Sequence, residues 1–195
     1  MSKKTHRPLR LAKPHTDDWY RDREVYDTGE QLLPRYGASE AAGVCGYSDF
    51  QEHQPRAIYE RKIGIIEGRI DPLEGRQSNV DQQRGLDFED AIKRSFAREH
   101  DGEFIPDVPM LLHPTLPFMS ATPDGLKHPG LDGKKLTLVS AFPGADPMDA
   151  KSTHIAKQGE FGESGTDQVP ESHLFQAQQQ MAVCGSDVAY WAVLF

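Results

Sequence analysis

Two short acidic elements constrain this chain more than any other feature. In Ser120-Ala121-Thr122-Pro123-Asp124-Gly125, Asp124 sits in a Pro-Asp-Gly turn. In Met148-Asp149-Ala150-Lys151-Ser152-Thr153, an acid stands two residues before a lysine. Pro170-Glu171-Ser172-His173-Leu174-Phe175-Gln176 then opens a glutamine-rich helical stretch that runs to Met181. A turn acid followed by an acid-x-lysine is the skeleton of a metal-dependent phosphodiesterase site. Hard divalent cations such as Mg²⁺ take anionic oxygen, typically one or two carboxylates and several waters. A lysine adds a point charge beside the attacked phosphate. Carboxylates clustered in a core without such a cation are costly.

A chain of 195 residues accommodates one domain with a sizeable core. Residues 1–15 read as a flexible basic arm and 16–195 as the single domain. Apolar content of 37% and a mean hydropathy of −0.63 describe a soluble protein. No apolar run approaches the roughly 18 residues of a membrane helix, so no membrane partner is expected. The first residues carry charge but no apolar signal core. Cys45 and Cys184 make no disulfide framework, and a reducing cytoplasm is the expected compartment. The net charge of −8 excludes a protein that coats nucleic acid indiscriminately. A nuclease remains open, because metal-binding carboxylates count as negative and basic residues such as Arg21, Arg23 and Arg35 can feed a local groove.

In chain order, Asp17–Tyr26 reads as a short helix. Tyr36–Gly43 reads as a turn into another, with Ser39 as N-cap. Ser39 is either that cap alone or part of a phosphate site at a helix N-terminus. Pro55–Gly64 has Ala57, Ile58 and Arg61 at helical spacing and stops at Gly64; Ile65–Asp81 reads as exposed loop. Arg84–His100 carries the clearest helical period: Phe88, Ile92 and Phe96 step by four, backed by Ala91, with Glu89 at the stripe's border. Val108–His113 and Phe118–Thr122 form a hairpin pattern, Leu136–Phe142 a third strand and Met148–Ser152 a fourth. His154–Val169 is loop-like. Pro170 opens a helix with Leu174, Ala177, Met181 and Ala182 as its apolar face and Gly185 as its stop. Asp187–Phe195 is apolar enough for a central strand. This order predicts an α/β (α+β) domain: a mixed central sheet flanked by helices, with strand ends delivering Asp124, Asp149 and Lys151 to one edge.

These residues, in this order, resemble the YqaJ-type viral recombinase family, which includes the exonuclease of phage lambda and belongs to the PD-(D/E)xK nuclease superfamily. The resemblance spans about residues 19 to 193. It is carried by Trp19, Arg35, Gly37-Ala38-Ser39-Glu40 with Gly46, and Ile58-Tyr59-Glu60-Arg61-Lys62-Ile63-Gly64. Arg84-Gly85 with Glu89, Ser120 to Leu126, Asp149-Ala150-Lys151, Pro170, Gln176, Gln178 and Met181 complete it. It implies a restriction-endonuclease-like core. Two departures stand out: the family usually has Glu where this chain has Asp149, and Lys127–Pro147 looks like an insertion. Within that insertion Asp132-Gly133-Lys134 is a rival acid-x-lysine. Asp149 is preferred, because a glycine weakens a strand centre and the spacing from Lys151 to Gln176 fits the family.

By resemblance, Asp124, Asp149 and the Ala150 carbonyl would hold Mg²⁺, with Mn²⁺ able to substitute, and Glu89 would ligate a second ion. Lys151 would orient water and stabilise developing charge. Nearby cations and carboxylates pull its pKa in opposite directions. Gln176 either positions that water or Lys151, or belongs to a polar helix face with Gln179 and Gln180. Arg35 and Ser39 would grip a terminal 5′-phosphate. The implied activity is a 5′→3′ exonuclease on ends of linear double-stranded DNA in phage or prophage recombination, beside a single-strand annealing protein. A homo-oligomer, a ring-shaped trimer, is implied with it. An endonuclease on the same fold and a decayed DNA-binding module are the alternatives. Two cysteines cannot supply the four ligands of an iron–sulfur cluster.

Overall fold

The structure, a computed structural model, describes residues 14–48, 51–74, 80–100, 104–127 and 145–195. Helix α1 (Asp17–Glu24) starts where the Thr16 hydroxyl accepts the Trp19 N–H, and Asp17 and Asp18 occupy its first turn. It ends before Tyr26, because Val25–Asp27 (β1) leaves to pair antiparallel with Leu32–Pro34 (β2). Tyr36–Gly37 (β3) leads into a 3-10 turn over Ala38–Glu40 and a single-turn helix α2 (Ala41–Val44). Ser39, expected as the cap, lies inside the turn. Gly37 occupies the cap position, and the Glu40 carboxylate accepts its N–H at 2.9 Å, leaving Ser39 exposed within the turn.

Helix α3 (Pro55–Ile66) opens on proline but runs past the expected stop at Gly64. That glycine serves close packing instead, since a Cβ there would lie 2.6 Å from Ile70 Cδ1. Ile65, read as the start of a loop, is buried in the last turn. In α4 (Val80–Glu99) the inward stripe is Glu89, Ile92, Lys93 and Phe96, at i, i+3, i+4 and i+7. Phe88 is 41% exposed and Ala91 faces out with it, so the expected face is rotated by one residue.

The main sheet runs β4 (Phe104–Pro106), β7 (Gly125–Lys127), β8 (Asp146–Ser152), β9 (Tyr190–Leu194). Its first two pairings are antiparallel and β8–β9 is parallel, which makes the sheet mixed. The expected hairpin is present as β5 (Leu111–Leu112) and β6 (Met119–Ala121), with β3 parallel to β6. Strand β9 stands at the sheet edge among the described residues rather than at its centre. Helix α5 (Glu171–Cys184) makes the crossover that a parallel β8–β9 pair needs, ending at Gly185 with φ +65°. Its buried face is Ala177, Gln180, Val183 and Cys184, whereas Leu174 and Ala182 are exposed. Of the expected apolar face of α5, Ala177 is buried and Met181 half-buried.

The core gathers Ala38, Val108, Leu111, Ala121, Leu126, Ala145, Val183 and Cys184 between α5 and the sheets. Cys45 and Cys184 are both free. Among the described residues no helix is long and apolar enough to cross a membrane. The arm through residue 13, the expected strand Leu136–Phe142 and the rival pair Asp132 and Lys134 lie outside the described residues.

Candidate active site

The turn between β6 and β7 carries Asp124, and the middle of β8 carries Asp149 and Lys151. Residues two apart on a strand share a face, so β8 presents acid and lysine together. Asp124 Oδ2 accepts the Ala150 N–H at 2.7 Å, which fastens the turn to β8. Asp149 is 2% exposed. Lys151 Nζ lies 3.6 Å from Asp149 Oδ2 and 5.0 Å from the ring of Trp191, the residue paired with Asp149 in register on β9. From α5, Gln176 Nε2 donates to Asp149 Oδ2 in a short hydrogen bond, and Gln180 Nε2 donates to Oδ1 at 2.8 Å. Asp124, Asp149, Ala150, Lys151 and Gln176 are thus brought together at one end of the sheet.

Above them opens a cavity of about 510 Å³, lined among others by Trp19, Arg23, Ser39, Glu89, Lys93, Asp124, Gln176 and Gln180. Glu89 enters it from α4, ion-paired at 2.5 Å to Lys93, which also reaches Asp107 at 3.0 Å. Burial draws the Lys93 pKa down, but its bonds to Glu89 and Asp107 outweigh that and leave it raised. The Asp124 carboxyl is pushed up to about 7, first by burial and then by the negative charges of Asp149 and Glu89. Lys151 and the Ala150 N–H offset only part of this. His173, packed 4.8 Å from Trp191, is driven down to about 4 by burial and then by Lys151, so its imidazole is neutral.

Arg35 and Ser39 part company. Ser39 lines the cavity, whereas Arg35 lies apart from it, 6% exposed, donating to the Pro117 carbonyl at 3.4 Å and, in a short bond, to the Asp22 carbonyl. Arg23 takes the place beside Ser39, donating to its Oγ at 2.9 Å, with its guanidinium 4.7 Å from the Trp19 ring. Trp19 in turn donates its Nε1–H to Thr122 Oγ1 at 3.2 Å, two residues before Asp124. Reading the sequence alone missed Lys93, placed Arg23 only among residues that could feed a basic groove, and read Gln180 only as part of a polar helix face. A signal existed for each: Arg23 is four residues after Trp19, Lys93 four after Glu89 and Gln180 four after Gln176, so each shares a helix face with its partner.

The donor set fits a hard divalent cation. The ionisation of Asp124 is opposed by burial and then by two neighbouring acids, and a bound cation would offset that opposition. Among the described residues no three His, Cys, Asp or Glu side chains close around a common point. A cation held by Asp124 and Asp149 would therefore have to keep several waters.

A mixed sheet flanked by helices, with a turn acid fastened to an acid-x-lysine strand, is the restriction-endonuclease-like α+β fold. The family model of the YqaJ-like viral recombinase domain matches residues 18–187, and the chain belongs to that family. Its fold is shared with LHK-Exo in complex with dAMP at TM-score 0.62 and 20% identity, over 92% of this chain and 74% of that one. The alkaline exonuclease LHK-Exo from Laribacter hongkongensis aligns at TM-score 0.57 and 22% identity, over 90% and 74%. No curated protein matches the sequence.

Proposed function

We propose that residues 16–195 form a Mg²⁺-dependent 5′→3′ exonuclease that degrades linear double-stranded DNA during recombination. The observation that carries this reading is the convergence of Asp124, Asp149, Lys151 and Gln176, with Asp124 and Gln176 lining a cavity that Arg23 and Ser39 line as well. Family membership supports it. LHK-Exo is described as an alkaline exonuclease and was crystallised with dAMP, a deoxymononucleotide.

Asp124 and Asp149, with the Ala150 carbonyl, would hold the metal, and Glu89 would approach a second ion on leaving Lys93. A divalent cation, when bound, supplies positive charge at the attacked phosphate and acidifies water. Lys151 stabilises the charge that gathers on the phosphate as water adds and the P–O3′ bond breaks. Gln176, hydrogen-bonded to Asp149, would orient the water that attacks. The oxygen of O3′ leaves with a proton, giving a 5′-mononucleotide and a new 5′-phosphate on the shortened strand. Arg23 supplies the guanidinium, and Ser39 the hydroxyl, that grip the 5′-phosphate. The single strand left behind would be the substrate of an annealing protein, and a ring-shaped trimer would keep the enzyme on its DNA.

Incubation with 5′-phosphorylated linear duplex and Mg²⁺ should release mononucleotides, and Asp124→Ala should abolish release. Covalently closed circles should stay intact; their cleavage would transfer the site to an endonuclease. Release of nothing, or release indifferent to Asp124→Ala, defeats the proposal. Light scattering checks the trimer.

A further inference from the structure

Helix α5 buries an amide on the face where it otherwise packs Ala177, Val183 and Cys184. Gln180 is 1% exposed, among the most enclosed large side chains of the described residues. Burying an amide is unfavourable unless it is hydrogen-bonded, and an apolar side chain of similar length would pack α5 without that cost. The bond Gln180 makes is to Asp149 Oδ1, at 2.8 Å. One turn earlier, Gln176 takes Oδ2. The helix is itself pinned, because Gln179 donates to the carbonyls of Tyr36 and Ser120 at 2.8 and 2.9 Å.

A carboxylate offers about four acceptor sites. One amide on each oxygen fixes the plane of the group and leaves each oxygen a further lone pair. We infer that Gln180 is a positioning residue, the second arm of a clamp that holds the Asp149 carboxylate in one orientation toward a divalent cation. The inference rests on the metal-dependent nuclease reading above. The chemistry suits the site: Asp149 has a short side chain, its partners reach it from a helix anchored at two backbone carbonyls, and a freely rotating carboxylate would meet a cation in many orientations.

Mn²⁺ titration calorimetry on the wild-type chain, Gln180→Met and Gln180→Asn tests this, with turnover on 5′-phosphorylated duplex measured alongside. Methionine keeps the shape and removes the donor. Asparagine keeps a polar amide in the cleft but withdraws it by one methylene, so it serves if the methionine variant does not fold. Both variants should lose about 10- to 100-fold in Mn²⁺ affinity, as outer-sphere partners do. The turnover number should fall with them while KM for DNA ends stays near wild type. If the folded variants bind Mn²⁺ as wild type does and lose only thermal stability, Gln180 merely packs, and the inference is overturned while the nuclease reading stands. A wild-type chain that binds no Mn²⁺ overturns both together.

Discussion

The backbone N–H of Ala150 donates to Asp124 Oδ2 at 2.7 Å, so the turn acid is held by the strand that carries Asp149 and Lys151. One oxygen of Asp124 is thereby oriented by the fold, whatever occupies the cavity. Asp124→Asn preserves size and removes the charge, and its amide nitrogen faces another N–H if it takes the Oδ2 position. Nuclease activity should fall by more than about 100-fold, a larger loss than for an outer-sphere partner, while circular dichroism remains unchanged. Activity within a few-fold of wild type would remove Asp124 from the site.

Asp124 also predicts a pH dependence of stability in the metal-free protein. Its folded pKa of about 7 lies above the ordinary 3.8, so the native state holds a proton that the unfolded chain has released. The stabilisation is complete below the unfolded value and is lost as pH rises through about 7. Within that window the slope approaches 1.4 kcal/mol per pH unit, on the order of magnitude set by one proton. His173 tilts the other way, because its depressed pKa makes stability fall as pH drops from 6.5 toward 4. The difference between wild type and Asp124→Asn isolates the aspartate. Urea midpoints measured in EDTA from pH 4 to 8 should show the mutant gaining on wild type as pH rises, and parallel curves would refute this.

Arg23 and Arg35 should separate cleanly. Arg23→Ala removes a charge-assisted donor beside Ser39, an interaction of about 1.5–3 kcal/mol, so KM for 5′-phosphorylated ends should rise roughly 10- to 100-fold. The preference for 5′-phosphate over 5′-hydroxyl ends should shrink with it. Arg35→Ala leaves the carbonyls of Asp22 and Pro117 without their donor, and should cost about 1–3 kcal/mol of stability while sparing the end preference. The reverse pattern would return the phosphate pocket to Arg35.

What could be read in the sequence was whatever depends on local pattern. The proline and glycine that bracket α5, the hairpin before Asp124 and the acid-x-lysine strand all follow from neighbouring residues. What depends on tertiary partners could not. Apolar spacing fits α4 in two rotations, with Phe88 or Glu89 inward, and the choice is made by Lys93 and the cavity. Gln180 reads as surface because amides usually are, and only Asp149 across the interface makes it a core residue. Arg35 is as plausible a phosphate ligand as Arg23 until the fold directs it at two backbone carbonyls. Strand β9 is apolar enough for a sheet centre yet lies at the edge among the described residues, and its apolar character serves faces packed by α4 and by aromatic neighbours such as His173.

Next to the turn that carries Ser39 lies a buried ionic cluster whose loss should be felt at the cavity. Lys62 is fully buried on α3, 2.7 Å from Glu24 of α1 and 2.9 Å from Glu40 of the turn that carries Ser39. Glu40 in turn accepts the Gly37 N–H, so the cluster sets where that turn begins. Lys62→Met takes the ammonium from between the Glu24 and Glu40 carboxylates, while Arg61 stays 3.5 Å from Glu24. Removing one partner of a buried pair costs up to about 3–5 kcal/mol, and Arg61 beside Glu24 offsets part of that here. Glu24→Gln in the same chain removes one of the two carboxylate charges, and the double variant should recover much of the loss. Denaturant unfolding of the four proteins of the cycle measures the coupling. KM for 5′-phosphorylated ends should rise in Lys62→Met even where the protein is folded, because the turn holding Ser39 is no longer fixed. A coupling near zero would mean that α1, α3 and the Ser39 turn are held by their apolar contacts alone.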